Sequence, residues 1–184
     1  LGNKVIIMGT STGGTLAIKL AAEFPELVHS LVLCSPNIRL YDKTSSLLDR
    51  PWGLNIVRMV MGGDFRELEP DPETDVYWYN KYRVESIVYL QQLLRATMKG
   101  DVFERVSQPV FVGCYYKDEQ NQDNTVSVDA IRWMFDNLGT ADENKELVEF
   151  PDAASHVICC NLTSKSWEQV QSSIAKFIET IIDK

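Results

Sequence analysis

Three side-chain types that together can hydrolyse an acyl bond occur in this sequence, each after a predicted strand. A hydroxyl nucleophile needs a base within hydrogen-bond reach to take its proton, and the base needs a carboxylate to orient it. Ser11 lies in Gly9-Thr-Ser-Thr-Gly13, directly after the apolar residues 5–8. Asp118 and Asp123 follow Pro109-Val-Phe-Val-Gly113, and His156 follows residues 147–150. The glycines two residues either side of Ser11 fit a sharp strand-to-helix turn with no room for Cβ atoms, which would hold the hydroxyl above a sheet.

The elements that must position these residues are legible as hydrophobic pattern. Residues 5–8, 31–34 and 110–113 are short apolar runs, as expected of strands buried on both faces of a parallel sheet, and residues 147–150 read as a fourth strand. Between the first two, residues 15–24 read as a helix placing Leu16, Ile18, Leu20 and Ala21 in an apolar surface and ended by Pro25. Strand, helix and strand in so short a span predict a βαβ unit with parallel strands. Residues 126–138, stopping at Gly139, and residues 163–182, with Trp167, Val170, Ile174, Phe177, Ile178 and Ile181 on one stripe, predict two further helices. In a parallel sheet the loops after the strands emerge on one edge, which brings Ser11, an aspartate and His156 together in that order. His29, the other histidine, is expected at the opposite edge as a surface residue.

The alternation stops between residues 37 and 107, where no convincing strand is visible. Leu54, Val57 and Met61, and then Ile87, Leu90, Leu94 and Met98, have helical spacing, and Trp52, Trp78 and Tyr82 are among several aromatic residues. The segment reads as a helical insertion, either a packing layer over the sheet or a cap shaping a substrate site. The domain reading is therefore a core of residues 1–36 and 108–184 interrupted by residues 37–107.

Composition removes several function classes. Eighteen Lys and Arg against 26 Asp and Glu give a formal charge of −8, which disfavours nucleic acid and anionic membrane surfaces. No apolar run approaches the roughly 18 residues needed to span a bilayer. Cys34, Cys114, Cys159 and Cys160 lack metal-ligand spacing and read as reduced thiols of a cytoplasmic protein. No metal site or cofactor is expected, because the two histidines are far apart and Gly9-x-x-x-Gly13-Gly14 is not a nucleotide-binding fingerprint.

These residues resemble the α/β-hydrolases, a superfamily of serine esterases, lipases and thioesterases. Gly9-Thr-Ser-Thr-Gly13 resembles the family's nucleophile turn, the order Ser, Asp, His is the family's order, and His156 precedes the last helix as in the family. The resemblance covers essentially the whole chain and implies the C-terminal part of that fold: an α/β architecture, a mostly parallel sheet flanked by helices, and a helical cap at residues 37–107. It implies Ser11 as nucleophile, His156 as general base and the Thr12 backbone N–H as an oxyanion donor. For the acid, Asp123-Asn-Thr-Val126 resembles the family spacing better, while Asp118 lies closer to the strand end.

The implied substrate is a small ester or thioester with an apolar acyl group, bound in part by Trp52, Trp78 and Tyr82. The sequence departs from the family in two places. Ala153-Ala-Ser-His156 lacks a glycine often present before the family histidine, and no segment corresponds to the early loop that supplies a second oxyanion donor. A shortfall of roughly 10²- to 10³-fold in turnover is expected from such a gap. Chain starting at Leu1 also leaves the first strand as an apolar edge, to be covered by an upstream segment of a longer hydrolase or by a second copy. The competing reading is a non-catalytic binding module on the same fold.

Overall fold

A computed structural model describes residues 2–48, 50–69 and 71–182. It divides into two compact units, one formed by Leu1–Asp42 and Thr97–Lys184 and the other by Lys43–Ala96.

The first unit is built on a sheet of β1 (Val5–Thr10), β2 (Val28–Cys34), β5 (Val110–Cys114) and β6 (Lys145–Glu149), in that spatial order and parallel throughout. Every residue of β5 is buried, as the continuous apolar run requires. Side chains alternate across the sheet. Val32, Cys34 and Phe111 point to one face, where they pack with Phe150, Ala153 and Ile158 against Val170, Ile174, Phe177 and Ile181 of α6 (Trp167–Ile182). Leu31, Leu33 and Val112 are left to the other face, each fully buried.

Helix α1 (Thr12–Glu23) packs on β1 and β2 and touches α4 (Gly100–Phe103), which in turn touches α5 (Val128–Asp136). The α/β architecture with a mostly parallel sheet flanked by helices is therefore present.

Several local expectations change. The turn around Ser11 is shorter than the glycine-rich pattern predicts: β1 runs to Thr10 and α1 begins at Thr12, so one residue makes the whole reversal. Leu16 and Leu20 do not join the buried face of α1, which consists of Gly14, Thr15, Ala17, Ile18, Ala21 and Ala22. Small residues let the helix sit close to the sheet, and the two leucines, four apart, lie on its exposed side. His29 lies inside β2, half-buried, with Nδ1 3.3 Å from Ser30 Oγ, rather than on the surface between helix and strand. Helix α5 ends before Gly139, and α6 begins at Trp167 rather than at residue 163.

The second unit contains α2 (Gly53–Met61), β3 (Phe65–Glu67), β4 (Lys81–Arg83) and most of α3 (Glu85–Thr97). Strands β3 and β4 form an antiparallel pair with Phe65 opposite Arg83, which corrects the expectation of no strand in this region. Each is three residues long and largely charged, too short to show a period of two in the sequence. The unit has a small core of Val57, Val84 and Val88, with Leu48, Leu54 and Ile87 packed against it. Arg58 pairs with Asp64 at 2.8 Å and with Glu85 at 2.9 Å, and Arg83 also reaches Glu85 at 2.7 Å. None of the helices among the described residues is long and apolar enough to cross a membrane.

Candidate active site

The turn at the end of β1 has an unusual backbone. Ser11 adopts φ 55° and ψ −121°, a region costly for a residue with a Cβ, and its surroundings hold it there. Its N–H donates to Cys34 O at 3.0 Å, and its own carbonyl accepts from Gly14 N at 3.0 Å and Asn37 N at 2.9 Å. Thr15 Oγ1 donates to Asn37 O at 2.6 Å, binding α1 to the loop after β2.

Two glycines make the turn possible, and they are not the symmetric pair the sequence points to. A Cβ on Gly9 would lie 2.5 Å from the Gly13 carbonyl, and one on Gly14 would lie 2.8 Å from Pro36 Cβ. A Cβ on Gly13 would meet nothing within 4 Å, so Gly13 contributes its backbone and not its missing side chain.

Ser11 occupies the N-cap position of α1, where a serine hydroxyl normally accepts from the first turn of the helix. Here its side chain makes no such bond. The first backbone N–H groups of a helix have no intrahelical acceptor, and Thr12 supplies the first of them next to Ser11.

His156 lies in the loop after β6. Its Nδ1 is 2.7 Å from Asp123 Oδ2, and its Nε2 is buried with no hydrogen-bond partner. Asp123 is 1% exposed, and its Oδ1 accepts from Thr125 N at 2.8 Å and Val126 N at 3.1 Å. With both oxygens engaged, the carboxylate has one orientation, and the imidazole accordingly has one too. Asp118 is placed differently. Its carboxylate accepts from Gln120 N, Asn121 N and Asn121 Nδ2 within its own turn, and the Asn121 side chain holds it below the ordinary carboxylate range.

Ala154 stands two residues before His156 with φ 53°. The left-handed backbone that a glycine would adopt freely is thus taken by an alanine, and the loop keeps its path at the cost of local strain. The loop is tied down nearby, through Lys165 N to Ala153 O at 3.1 Å and Thr163 Oγ1 to Val157 O at 3.1 Å.

Sequence reading overlooks three features of this edge. Ser35 Oγ and Asn37 Oδ1, in the loop after β2, are buried without hydrogen-bond partners. Their signal was available, since Ser35-Pro-Asn37 follows a strand at the same edge as Ser11. Arg132 on α5 places Nε and Nη2 2.8 and 2.7 Å from Glu149 Oε1, and its guanidinium lies 4.1 Å from the centre of the Tyr116 ring. It thereby links the loop carrying Asp123 to the strand leading to His156, a contact across 16 and 17 residues of sequence that no local pattern encodes.

Trp52, Trp78 and Tyr82 all belong to the second unit. Trp52 precedes α2 and is 48% exposed, Trp78 stacks edge-on with Tyr77 at 6.3 Å, and Tyr82 in β4 lies under Arg66 at 5.8 Å. Among the described residues no three His, Cys, Asp or Glu side chains converge as a metal site.

A family model described as serine aminopeptidase, S33, matches residues 1–156. Among solved structures, the chain is similar to one reported for the metagenome-derived lipolytic enzymes LipS and LipT, with 16% identity and a TM-score of 0.70 over 96% of this chain and 65% of that one. A monoacylglycerol lipase from Paleococcus ferrophilus gives 17% identity and a TM-score of 0.70 over 98% of this chain and 70% of that one. Est1E from Butyrivibrio proteoclasticus gives 18% and 0.58, over 98% and 62%. At such identity the likeness speaks to the fold, and this chain spans about two thirds of those structures. No curated protein matches by sequence.

Proposed function

We propose, from the premise that this chain belongs to the α/β-hydrolase family described as serine aminopeptidase, S33, that it hydrolyses a carboxylic ester or thioester through Ser11, His156 and Asp123. The observation that carries the reading is the buried, unpartnered His156 Nε2, with the other ring nitrogen fixed by a carboxylate that backbone N–H groups hold. A base so prepared has a tautomer and an orientation but nothing to accept from, which suits an incoming hydroxyl proton.

In this mechanism Ser11 Oγ attacks the acyl carbon as His156 Nε2 takes its proton, and Asp123 stabilises the imidazolium that results. The Thr12 N–H faces the charge developing on the carbonyl oxygen. His156 then returns the proton to the departing alcohol or thiol, leaving an acyl group on Ser11. A water, deprotonated by the same nitrogen, releases the acid. Asp118 has no part in this scheme, because its lone pairs are engaged within its own turn.

The lipolytic descriptions of two of the fold neighbours favour an ester, whereas the family description favours an aminoacyl amide. A panel of p-nitrophenyl esters, acyl thioesters and aminoacyl p-nitroanilides separates the two. Turnover of esters or thioesters with a burst of released leaving group is expected. Turnover confined to the anilides would overturn the substrate class, and turnover of none would favour a binding module on a hydrolase fold.

A further inference from the structure

Arg132 stands beside the candidate site without a step in the chemistry above. It lies in the middle of α5, the helix that begins shortly after Asp123. Its Nε and Nη2 donate to one oxygen of Glu149, the last residue of β6, at 2.8 and 2.7 Å, and its guanidinium lies 4.1 Å from the centre of the Tyr116 ring. Val148 packs on the α6 face of the sheet, so Glu149, next in the strand, is turned to the other face, where Arg132 meets it.

Both partners lie where the sheet stops guiding the chain. The last rung between β5 and β6 joins Cys114 to Glu149, and Phe150 N donates to Cys114 O at 2.9 Å just beyond it. After that rung one chain turns into the loop that ends at Asp123, and the other into the loop that carries His156. Tyr116 is bridged to Gln122, and Asp123 N donates to Tyr115 O at 3.1 Å, so the place of Tyr116 sets that of Asp123. One guanidinium therefore grips the foot of the first loop and the foot of the second.

From this geometry we propose that Arg132 is a positioning residue, which braces the Asp123 loop against the end of β6 and so holds the Asp123–His156 hydrogen bond in place. Its role rests on the reading above, in which His156 is the base and Asp123 its orienting acid.

The guanidinium suits this task because it is planar. Its edge donates two N–H groups to a carboxylate while its face lies against an aromatic ring, which fixes direction as well as distance. The Arg132 and Glu149 side chains are 31% and 32% exposed, so salt screens the pair less than it does a surface pair. Arg132 also meets Asp129 at 3.3 Å, but that carboxylate is 83% exposed and belongs to the same helix, so the contact ties α5 to nothing else. Without the brace Asp123 keeps its backbone donors, Thr125 N and Val126 N, and the loop moves as a piece rather than the carboxylate turning. A shift of about 1 Å made in this way can cost up to about 10²-fold in rate.

The test compares Arg132→Gln, the near-isosteric Glu149→Gln and Asp129→Asn, each with its circular dichroism checked against the wild type. Fluorophosphonate labelling of Ser11 is expected to slow by roughly 10- to 10²-fold in the first two and to stay within about threefold in Asp129→Asn. Added to Asp123→Asn, Arg132→Gln is expected to cost nothing further, because it acts through Asp123. Proton NMR gives a readout that does not involve Ser11: the low-field imidazole N–H resonance of His156 bonded to Asp123 is expected in the wild type and in Asp129→Asn, and is expected to be lost in Arg132→Gln and Glu149→Gln. Unchanged labelling in Arg132→Gln, or a further loss on top of Asp123→Asn, overturns the proposal. A protein that never labels, or whose labelling is indifferent to Asp123→Asn, refutes the Ser11 chemistry instead, and the resonance then decides. Kept in Arg132→Gln it overturns the brace; lost there and in Glu149→Gln but kept in Asp129→Asn, it upholds it.

Discussion

The loops at the C-terminal edge of the parallel sheet and the segment Lys43–Ala96 fix their charged groups by different means. At the edge, Asp123 is almost wholly buried and is held by two backbone N–H groups and one imidazole. In the segment, Arg58, Arg83, Asp64 and Glu85 pair side chain to side chain, with Arg83 and Asp64 more than half exposed. Backbone donors are already ordered by the fold, so aiming a carboxylate with them costs little further entropy and is weakly screened by salt. Exposed ion pairs are worth only about 0.2–1 kcal/mol each and fade with ionic strength. Side chains that must meet a reacting atom to within a fraction of an ångström are therefore better placed at the sheet edge.

The two regions respond differently to substitution. The largest effect is expected at Ser11: Ser11→Ala lowers ester hydrolysis by roughly 10⁴- to 10⁶-fold with the circular dichroism spectrum intact. Next, Asp123→Asn lowers kcat by roughly 10³- to 10⁴-fold, because the imidazole loses its orienting carboxylate. Asp118→Asn stays within about threefold, since that side chain serves only its own turn. Steady-state kinetics on the pair sharpens the contrast, and a larger loss in the Asp118 variant would break it.

Smaller effects concern stability. Ala154→Gly is expected to stabilise the protein by up to about 1 kcal/mol in urea unfolding, by relieving the left-handed backbone. It should leave kcat unchanged. The smallest effect belongs to the ion pairs of the second unit. The hydrogen bond from Arg83 holds the Glu85 carboxyl at about 2, with the Glu85 backbone and the charges of Arg83 and Arg58 adding to it. A carboxyl lowered in the folded state contributes stability that is complete above its ordinary value of 4.5 and is lost as pH falls toward 2. Glu85→Gln should therefore flatten that part of the urea midpoint against pH, and high salt should mimic it in the wild type.

The same contrast explains what could be read from the amino acids alone. The two central strands of the first unit, β2 and β5, carry apolar runs that burial on both faces writes into the sequence, whereas β1 and β6 at the edges are only partly covered and β6 reads Lys-Glu-Leu-Val-Glu. Order along the chain predicts Ser11, an aspartate and His156 at one edge, and the resemblance in spacing favours Asp123 over Asp118; the hydrogen bond between Asp123 and His156 spans 33 residues and has no local signal. Strands β3 and β4 were invisible because three residues carry no period, and the Leu16 and Leu20 side chains were misplaced because small residues, not leucines, seat α1 on the sheet. The role of Ala154 was half legible: the absent glycine is a sequence fact, whereas the strained alanine in its place is a structural one. The Arg132 bridge had no local signal, being a long-range contact between a loop, a strand and a helix that folding alone creates.

The central claim, that Ser11 is the nucleophile and His156 its base, is tested most directly with a fluorophosphonate probe, reading the modified peptide by mass spectrometry. The expected result is a single adduct on the peptide containing Ser11, absent in Ser11→Ala and formed roughly 10³-fold or more slowly in His156→Ala. An adduct that survives Ser11→Ala, or one whose rate is indifferent to His156, would contradict it.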